Sequence, residues 1–114
     1  MKELEKLKKL QLHDQNFESF NFDLEKEKVT IIVSIYSEDT KACNYWKIGF
    51  LNVRNLKMSE LNLLKFSSLE IYSHEIIEDL NMIFIEFIML LGAGEPTFNL
   101  SFNFSDVQLN LQNK

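Results

Sequence analysis

Two histidines, each followed by a carboxylate, are the residues of this chain whose types could do chemistry. His13 precedes Asp14, and His74 precedes Glu75. Two imidazoles and two carboxylates could bind a metal ion, or they could supply a general base with its orienting acid. The pairs are far apart in sequence, and adjacent residues of a strand point to opposite faces of a sheet. We therefore expect turn or surface histidines, with no catalytic site, no metal and no cofactor.

The other residues that could carry chemistry favour structural roles. Cys43 is the only cysteine, so no intramolecular disulfide can form, and it lies in no motif that would make it a nucleophile. The stretch 92–94, Gly-Ala-Gly, lacks the Lys-Ser or Lys-Thr that follows a phosphate-binding loop, and a hairpin connection explains it. Three aromatic residues could form a sugar-binding platform, but packing in the core is the commoner role: Tyr36, Tyr45 and Trp46.

The composition is that of a single globular domain. The chain has 114 residues, of which 46% are hydrophobic, and this suffices for one core. We expect one domain over 1–114, with a short helix over 1–11 and a β-sandwich over 15–111. The net charge is −5 and Arg54 is the only arginine, so we expect no nucleic-acid partner.

We expect neither a secretory signal nor a membrane span. The first residues are charged and lack a long apolar run. The most apolar stretch, 82–91, has about ten residues and includes Glu86, whereas a spanning helix needs about 20. The expected location is the cytoplasm, which also suits a chain without a disulfide.

The stretch 97–111 is the strongest strand signal in the chain. Large apolar residues alternate there with short polar ones, which is the pattern of a strand with one buried face. The alternating apolar residues are Phe98, Leu100, Phe102 and Phe104. The apolar positions then become odd-numbered, at Val107, Leu109 and Leu111. A one-residue bulge near Ser105 and Asp106 would keep these side chains on the inner face.

The rest of the chain predicts a mainly antiparallel β-sandwich or flattened barrel of six to seven strands, with a short N-terminal helix. Leucines at every third position make the stretch 1–11 amphipathic. Period-two alternation predicts strands over 20–24, 29–36 and 45–53. Phe17 is out of phase, which indicates a bulge or a ragged strand start, and a further bulge is expected near Phe50. A short strand is expected over 68–72, and 55–66 is interpreted as a loop with one short strand or turn.

The stretch 73–91 is ambiguous between helix and strand. Its apolar residues fit a helical stripe, with Ser73 as an N-cap and Gly92 just beyond the helix. It is also rich in Ile and Phe, and a Gly-containing loop joins it to the strand at 97. We favour a strand over 82–91, apolar on both faces and covered on its back by the N-terminal leucines.

The predicted core consists of residues on the apolar side of the alternating stretches, because a sheet buries that side. These residues are Phe20, Phe22, Val33, Ile35, Trp46, Ile48, Phe98, Leu100, Phe102 and Phe104.

Two stretches resemble a group of small bacterial β-proteins. They are Leu12-His13-Asp14 before the first strand and the stretch 47–53, Lys-Ile-Gly-Phe-Leu-Asn-Val. Several families of this group are associated with immunity to polymorphic toxins. The resemblance covers about residues 12–111. It implies a β-sandwich and an inhibitor role, which needs a binding surface and no catalytic residue.

Acidic residues gather in the expected loops and on outward faces, and they predict a partner-binding surface. The residues are Glu38, Asp39, Glu75, Glu78 and Asp79. Such clusters can steer association with a basic protein, for example a cognate toxin. The leading hypothesis is a non-enzymatic protein-binding module such as an immunity protein. The alternative is a small-ligand-binding sandwich for a lipid or a carbohydrate, and homodimer formation is left open.

Overall fold

The computed structural model describes residues 2–59, 69–90 and 97–112, and these form one short helix and eight strands. The elements are α1 (Lys2–Lys9), β1 (Asn16–Asp23), β2 (Lys28–Ser37), β3 (Ala42–Leu51), β4 (Arg54–Met58), β5 (Glu70–Glu78), β6 (Ile83–Leu90), β7 (Thr97–Phe104) and β8 (Asp106–Gln112). The loop predicted at 92–96 and the second half of the stretch 55–66 lie outside the described residues.

All eight described strands belong to one antiparallel sheet, in the order β4-β7-β6-β5-β1-β2-β3-β8. The sheet is not closed, because β4 and β8 have a strand neighbour on one side only. The prediction of a mainly β antiparallel fold with a short N-terminal helix is therefore confirmed. The predicted count of six to seven strands is wrong, because the stretch 97–111, predicted as one strand, forms two strands, β7 and β8.

The sheet folds over on itself into two halves, β4-β7-β6-β5 and β1-β2-β3-β8. As a result β3 and β7 face each other, although four strands separate them in the sheet order. The ring of Phe50 on β3 lies 4.9 Å from the rings of both Phe102 and Phe104 on β7, in edge-to-face geometry. All three side chains are fully buried. Edge-to-face packing is favoured by the aromatic quadrupole, and these rings form the centre of the core.

At two bends the chain passes from one half of the sheet to the other: β7 leads into β8, and β3 leads into β4. Ser105 separates β7 from β8, which pair with different strands, so the bulge predicted within a single strand is instead the point where the chain changes partners. The bulge predicted near Phe50 is wrong, because β3 pairs without interruption with β2 and with β8 up to that residue and beyond. The phase reverses instead after Leu51, at Asn52, whose φ of 56° is one that asparagine tolerates better than most residues.

The ambiguous stretch is a β-hairpin, which confirms the strand favoured over 82–91 for its described part. Ser73 lies inside β5 and caps no helix. Alternate residues of β6 are buried, as expected for a strand with one face toward the core, and β6 has a strand neighbour on each side. The predicted covering by the helix is wrong. Leu4 and Leu7 are buried in the core between the two halves of the sheet, whereas Phe84 on the other face of β6 is half-buried.

Six of the ten predicted core residues are fully buried and one is exposed. The buried ones are Val33, Ile48, Phe98, Leu100, Phe102 and Phe104, and the half-buried ones are Phe20, Ile35 and Trp46. Phe22 is 36% exposed, so its predicted burial is wrong. It faces inward, opposite Val29, but it lies where the two halves of the sheet separate.

Candidate functional site

A groove of about 260 Å³ opens between the β1–β2 turn and β4, and we call it the β1–β4 groove. Its apolar lining consists of Phe22, Leu24, Val29, Val53 and Leu56. Its polar lining consists of Asp23, Glu27, Lys28, Arg54 and Asn55. Leu24 is 86% exposed and Leu56 is 37% exposed, so much of the apolar lining faces solvent.

The groove exists because β1 loses its second neighbour. Asn16 pairs with Glu70 of β5, and the backbone N–H of Phe17 donates to the carbonyl of Leu69 at 2.8 Å. Beyond that point β1 pairs only with β2 among the described strands. Its last residues therefore form a free edge that faces the start of β4.

Two contacts fasten β4 to the β1–β2 turn. The backbone N–H of Val53 donates to the carbonyl of Glu27 at 2.8 Å, and the guanidinium of Arg54 pairs with the carboxylate of Glu27. Glu27 has a φ of 52° in the β1–β2 turn, and Asn55 has a φ of 56° at the register shift of β4. The ion pair is half exposed, which makes its contribution to stability modest.

The predicted acidic residues do not form one surface. Glu38 and Asp39 lie in the exposed turn between β2 and β3, and none of the described ion pairs includes them. Glu75 is exposed on β5, directly opposite Glu86 of β6. Like charges at opposite positions of a ladder repel each other, so this pair costs stability.

Glu78 and Asp79 line a second groove of about 240 Å³ beside α1. Both carboxylates have partners there. Glu78 accepts a hydrogen bond from the Nζ of Lys8 at 2.7 Å, and this contact raises the pKa of Lys8. Asp79 accepts one from the backbone N–H of Leu80 at 2.7 Å. These acids therefore hold α1 and the β5–β6 turn in place, which is a structural role.

In the part of the chain that the structure describes, the two histidine–carboxylate pairs do not assemble into one metal-binding group. His13 Nδ1 lies 3.0 Å from Asp14 Oδ2, and both side chains are 62% exposed. His74 is half-buried and stacks on Phe87, at 6.5 Å between ring centres. Burial, with a smaller contribution from the charge of His13, lowers the pKa of His74. Among the described residues, no group of three or more His, Cys, Asp or Glu side chains could hold a metal ion.

Cys43 is exposed on β3, where it lies opposite Tyr36 of β2. Its thiol is exposed because the end of the β2–β3 hairpin extends beyond the core. The three aromatic residues considered as a sugar platform differ in exposure: Tyr45 and Trp46 are half-buried, and Tyr36 is 46% exposed.

No protein-family model, no curated protein and no solved structure matches this chain. No helix within the described ranges is long and apolar enough to cross a membrane.

Sequence reasoning did not identify this groove. The alternation up to Leu24 indicates the end of a strand, and the pattern of 55–66 indicates a loop with one short strand or turn. One signal was present: Leu24 stands between Asp23 and the charged turn 25–28, where a large apolar residue has little to pack against.

Proposed function

We propose that this chain is a non-enzymatic protein-binding module and that the β1–β4 groove is its contact surface. The observation that carries the proposal is the exposed apolar lining of the groove, above all Leu24 at 86%. Contiguous apolar surface on a soluble protein with a polar rim is typical of an interaction site. Asp23, Glu27, Lys28 and Arg54 supply such a rim.

The size of the groove favours a protein partner over the small ligand considered above. Its volume of about 260 Å³ is below the range of roughly 300–1,000 Å³ that is usual for ligand sites. It is also open on its outer side, so a lipid or a sugar would remain largely exposed to solvent. A side chain that projects from a partner protein needs less enclosure, because the surrounding interface excludes water.

A basic protein such as a cognate toxin is the partner class that we favour. The resemblance of 12–14 and 47–53 to immunity-associated proteins supports this class, and so does the net charge of −5. In this proposal Glu38 and Asp39 attract the partner at long range, while the groove provides the short-range contact. Glu75 belongs to the same acidic field, whereas Glu78 and Asp79 have the local partners described above.

The experiment is capture of partners from the source cell by the immobilised full chain, followed by reconstitution with the purified partner. Leu24→Asp places a charge in the apolar contact and should weaken binding by roughly tenfold or more. Leu80→Asp is the matched control, because Leu80 is 97% exposed on the β5–β6 turn, outside the groove. Equal binding by the two variants, or the absence of any specific partner, would refute the proposal.

The contribution of Glu38 and Asp39, in the β2–β3 turn, to association is measured separately with the same partner. Reversal of both charges, Glu38→Lys with Asp39→Lys, should slow association at low salt and reduce its dependence on ionic strength. The dissociation rate should change little, since these side chains lie outside the groove. An unchanged association rate would remove this turn from the binding mechanism.

A further inference from the structure

We propose that β4 is an edge onto which the partner adds an extended segment as an additional strand, so that one or two apolar side chains enter the β1–β4 groove. This inference rests on the proposed protein-binding function and specifies its mode. The occupant is a segment of another protein with an apolar, an acidic and an apolar residue in succession.

The backbone of β4 has hydrogen-bonding groups that point away from the sheet. The N–H of Ser59 donates to the carbonyl of Asn99 on β7 at 3.0 Å, so the backbone of Ser59 points toward β7. Successive residues of a strand alternate in the direction of their backbone groups. Lys57 therefore points toward β7 as well, while Leu56 and Met58 point outward, to the side where β4 has no described neighbour.

The side chains of β4 define what an added strand must carry. All five residues of β4 are exposed, including Leu56 at 37% and Met58 at 45%. Met58 lies opposite Leu100, whose side chain is in the core, whereas Lys57 lies opposite Ser101 on the other face. On the added strand, the residue opposite Lys57 would face away from the groove. The residues before and after it would lie on the same face as the groove and Leu56.

The charge of β4 selects an acidic residue at the position opposite Lys57. β4 contains Arg54 and Lys57 and no acidic residue, in a chain whose net charge is −5. Arg54 is already paired with Glu27, and no described ion pair includes Lys57. A carboxylate on the added strand would pair with Lys57 as opposite charges do across a ladder.

The same charge argument disfavours a second copy of this chain as the occupant. Pairing of β4 with β4 would leave Lys57 without a carboxylate in any register, because the strand has none. The bend at Asn55, where the register with β7 shifts, also shortens the regular part of the edge to its last residues. Bulges of this kind oppose edge-to-edge aggregation. A short segment of three or four residues still fits beside Leu56–Met58.

The test uses a phage-displayed library of random peptides of about nine residues, which exceeds the usual strand length. The library is selected on the full chain and counter-selected on Met58→Pro. Proline at this position removes an outward N–H, and proline is tolerated on edge strands whose N–H faces solvent. Peptides that bind wild type should contain the apolar-acidic-apolar pattern and should bind Met58→Pro roughly tenfold more weakly.

Amide hydrogen exchange provides the decisive measurement. A selected peptide should slow exchange at the amides of Leu56 and Met58 and leave the amide of Lys57, which already points toward β7, unchanged. Peptide that is N-methylated at alternate backbone nitrogens should lose binding, and this control holds even if Met58→Pro does not fold. Leu80→Asp should bind the peptide as wild type does.

Three results would overturn the inference: no peptide that distinguishes wild type from Met58→Pro, binding without protection of the two outward amides, or a complex that proves to be a dimer of this chain. These outcomes are separable from failure of the proposed function. A partner that is lost with Leu24→Asp but kept with Met58→Pro would leave protein binding at the groove intact and remove strand addition.

Discussion

The carboxylate of Glu3 in α1 accepts a hydrogen bond from the backbone N–H of Leu109 in β8, at 2.8 Å. β8 is an edge strand, so this N–H has no strand partner on its outer side among the described strands. The helix thus occupies one edge of the sheet, with Leu4 and Leu7 buried beneath it. The other edge, β4, is the one that we propose a partner occupies.

The hydrogen bond from Leu109, with a smaller effect of Lys6, lowers the pKa of Glu3 from its ordinary value of 4.5. The unfolded chain therefore takes up this proton at higher pH than the folded chain. The stabilisation by Glu3 is complete above pH 4.5 and is lost as the pH falls from there through the folded pKa. Urea unfolding at several pH values should show a weaker acid dependence for Glu3→Gln.

His74 should make the fold sensitive to mild acid. Burial, with a smaller effect of His13, lowers the pKa of His74 below 6.5, so the folded chain binds this proton less readily than the unfolded chain. Stability should therefore decrease as the pH falls from 6.5 through the folded pKa. His74→Gln should flatten this dependence in unfolding measurements. A titration of the His74 ring by NMR with a midpoint above 6.5 would contradict the assignment.

Phe102→Ala should lower the free energy of unfolding by about 3–5 kcal/mol, because a fully buried ring is removed from the centre of the core. Leu80→Ala, at a residue that is 97% exposed, should change it by less than about 0.5 kcal/mol. Chemical denaturation of both variants measures the difference. A cost for Phe102→Ala below about 1 kcal/mol would be incompatible with the contact to Phe50.

Lys41→Gly should stabilise the β2–β3 turn by up to about 1 kcal/mol. Lys41 has a φ of 54°, which costs an L-residue roughly 1–2 kcal/mol and costs glycine almost nothing. The greater flexibility of glycine in the unfolded chain cancels part of this gain. Lys26→Gly, in the β1–β2 turn, is the control: Lys26 is not among the residues with positive φ, and its replacement should be neutral or destabilising. Thermal unfolding should rank Lys41→Gly above wild type and Lys26→Gly at or below it.

The strands could be predicted wherever their burial depends on local alternation. The interruption at Ser105 followed from the shift of the apolar positions between Phe104 and Val107, since both stretches keep their apolar side toward the core. The irregularity between Phe17 and Ser19 followed in the same way. These features need no knowledge of which strands are neighbours.

The errors arose where burial depends on pairing between distant parts of the chain. Phe22 alternates correctly, yet it is exposed because β5 pairs with β1 only near Asn16. Glu78 belongs to an acidic run in the sequence, but Lys8 neutralises it from the other end of the chain. The β1–β4 groove depends on the contact between Glu27 and Val53, which no local pattern encodes.

The pairing of β3 with β8 has a consequence for folding during synthesis. β2 and β3 can form a hairpin once residue 51 has left the ribosome, but the outer edge of β3 stays open until residues 106–112 follow. At about 5–20 residues per second, the ribosome leaves this edge, with Ile48 and Phe50 beside it, unpaired for roughly 3–12 seconds. The nascent chain is therefore most prone to aggregation in this interval, and slower translation of residues 52–105 should lower its soluble yield.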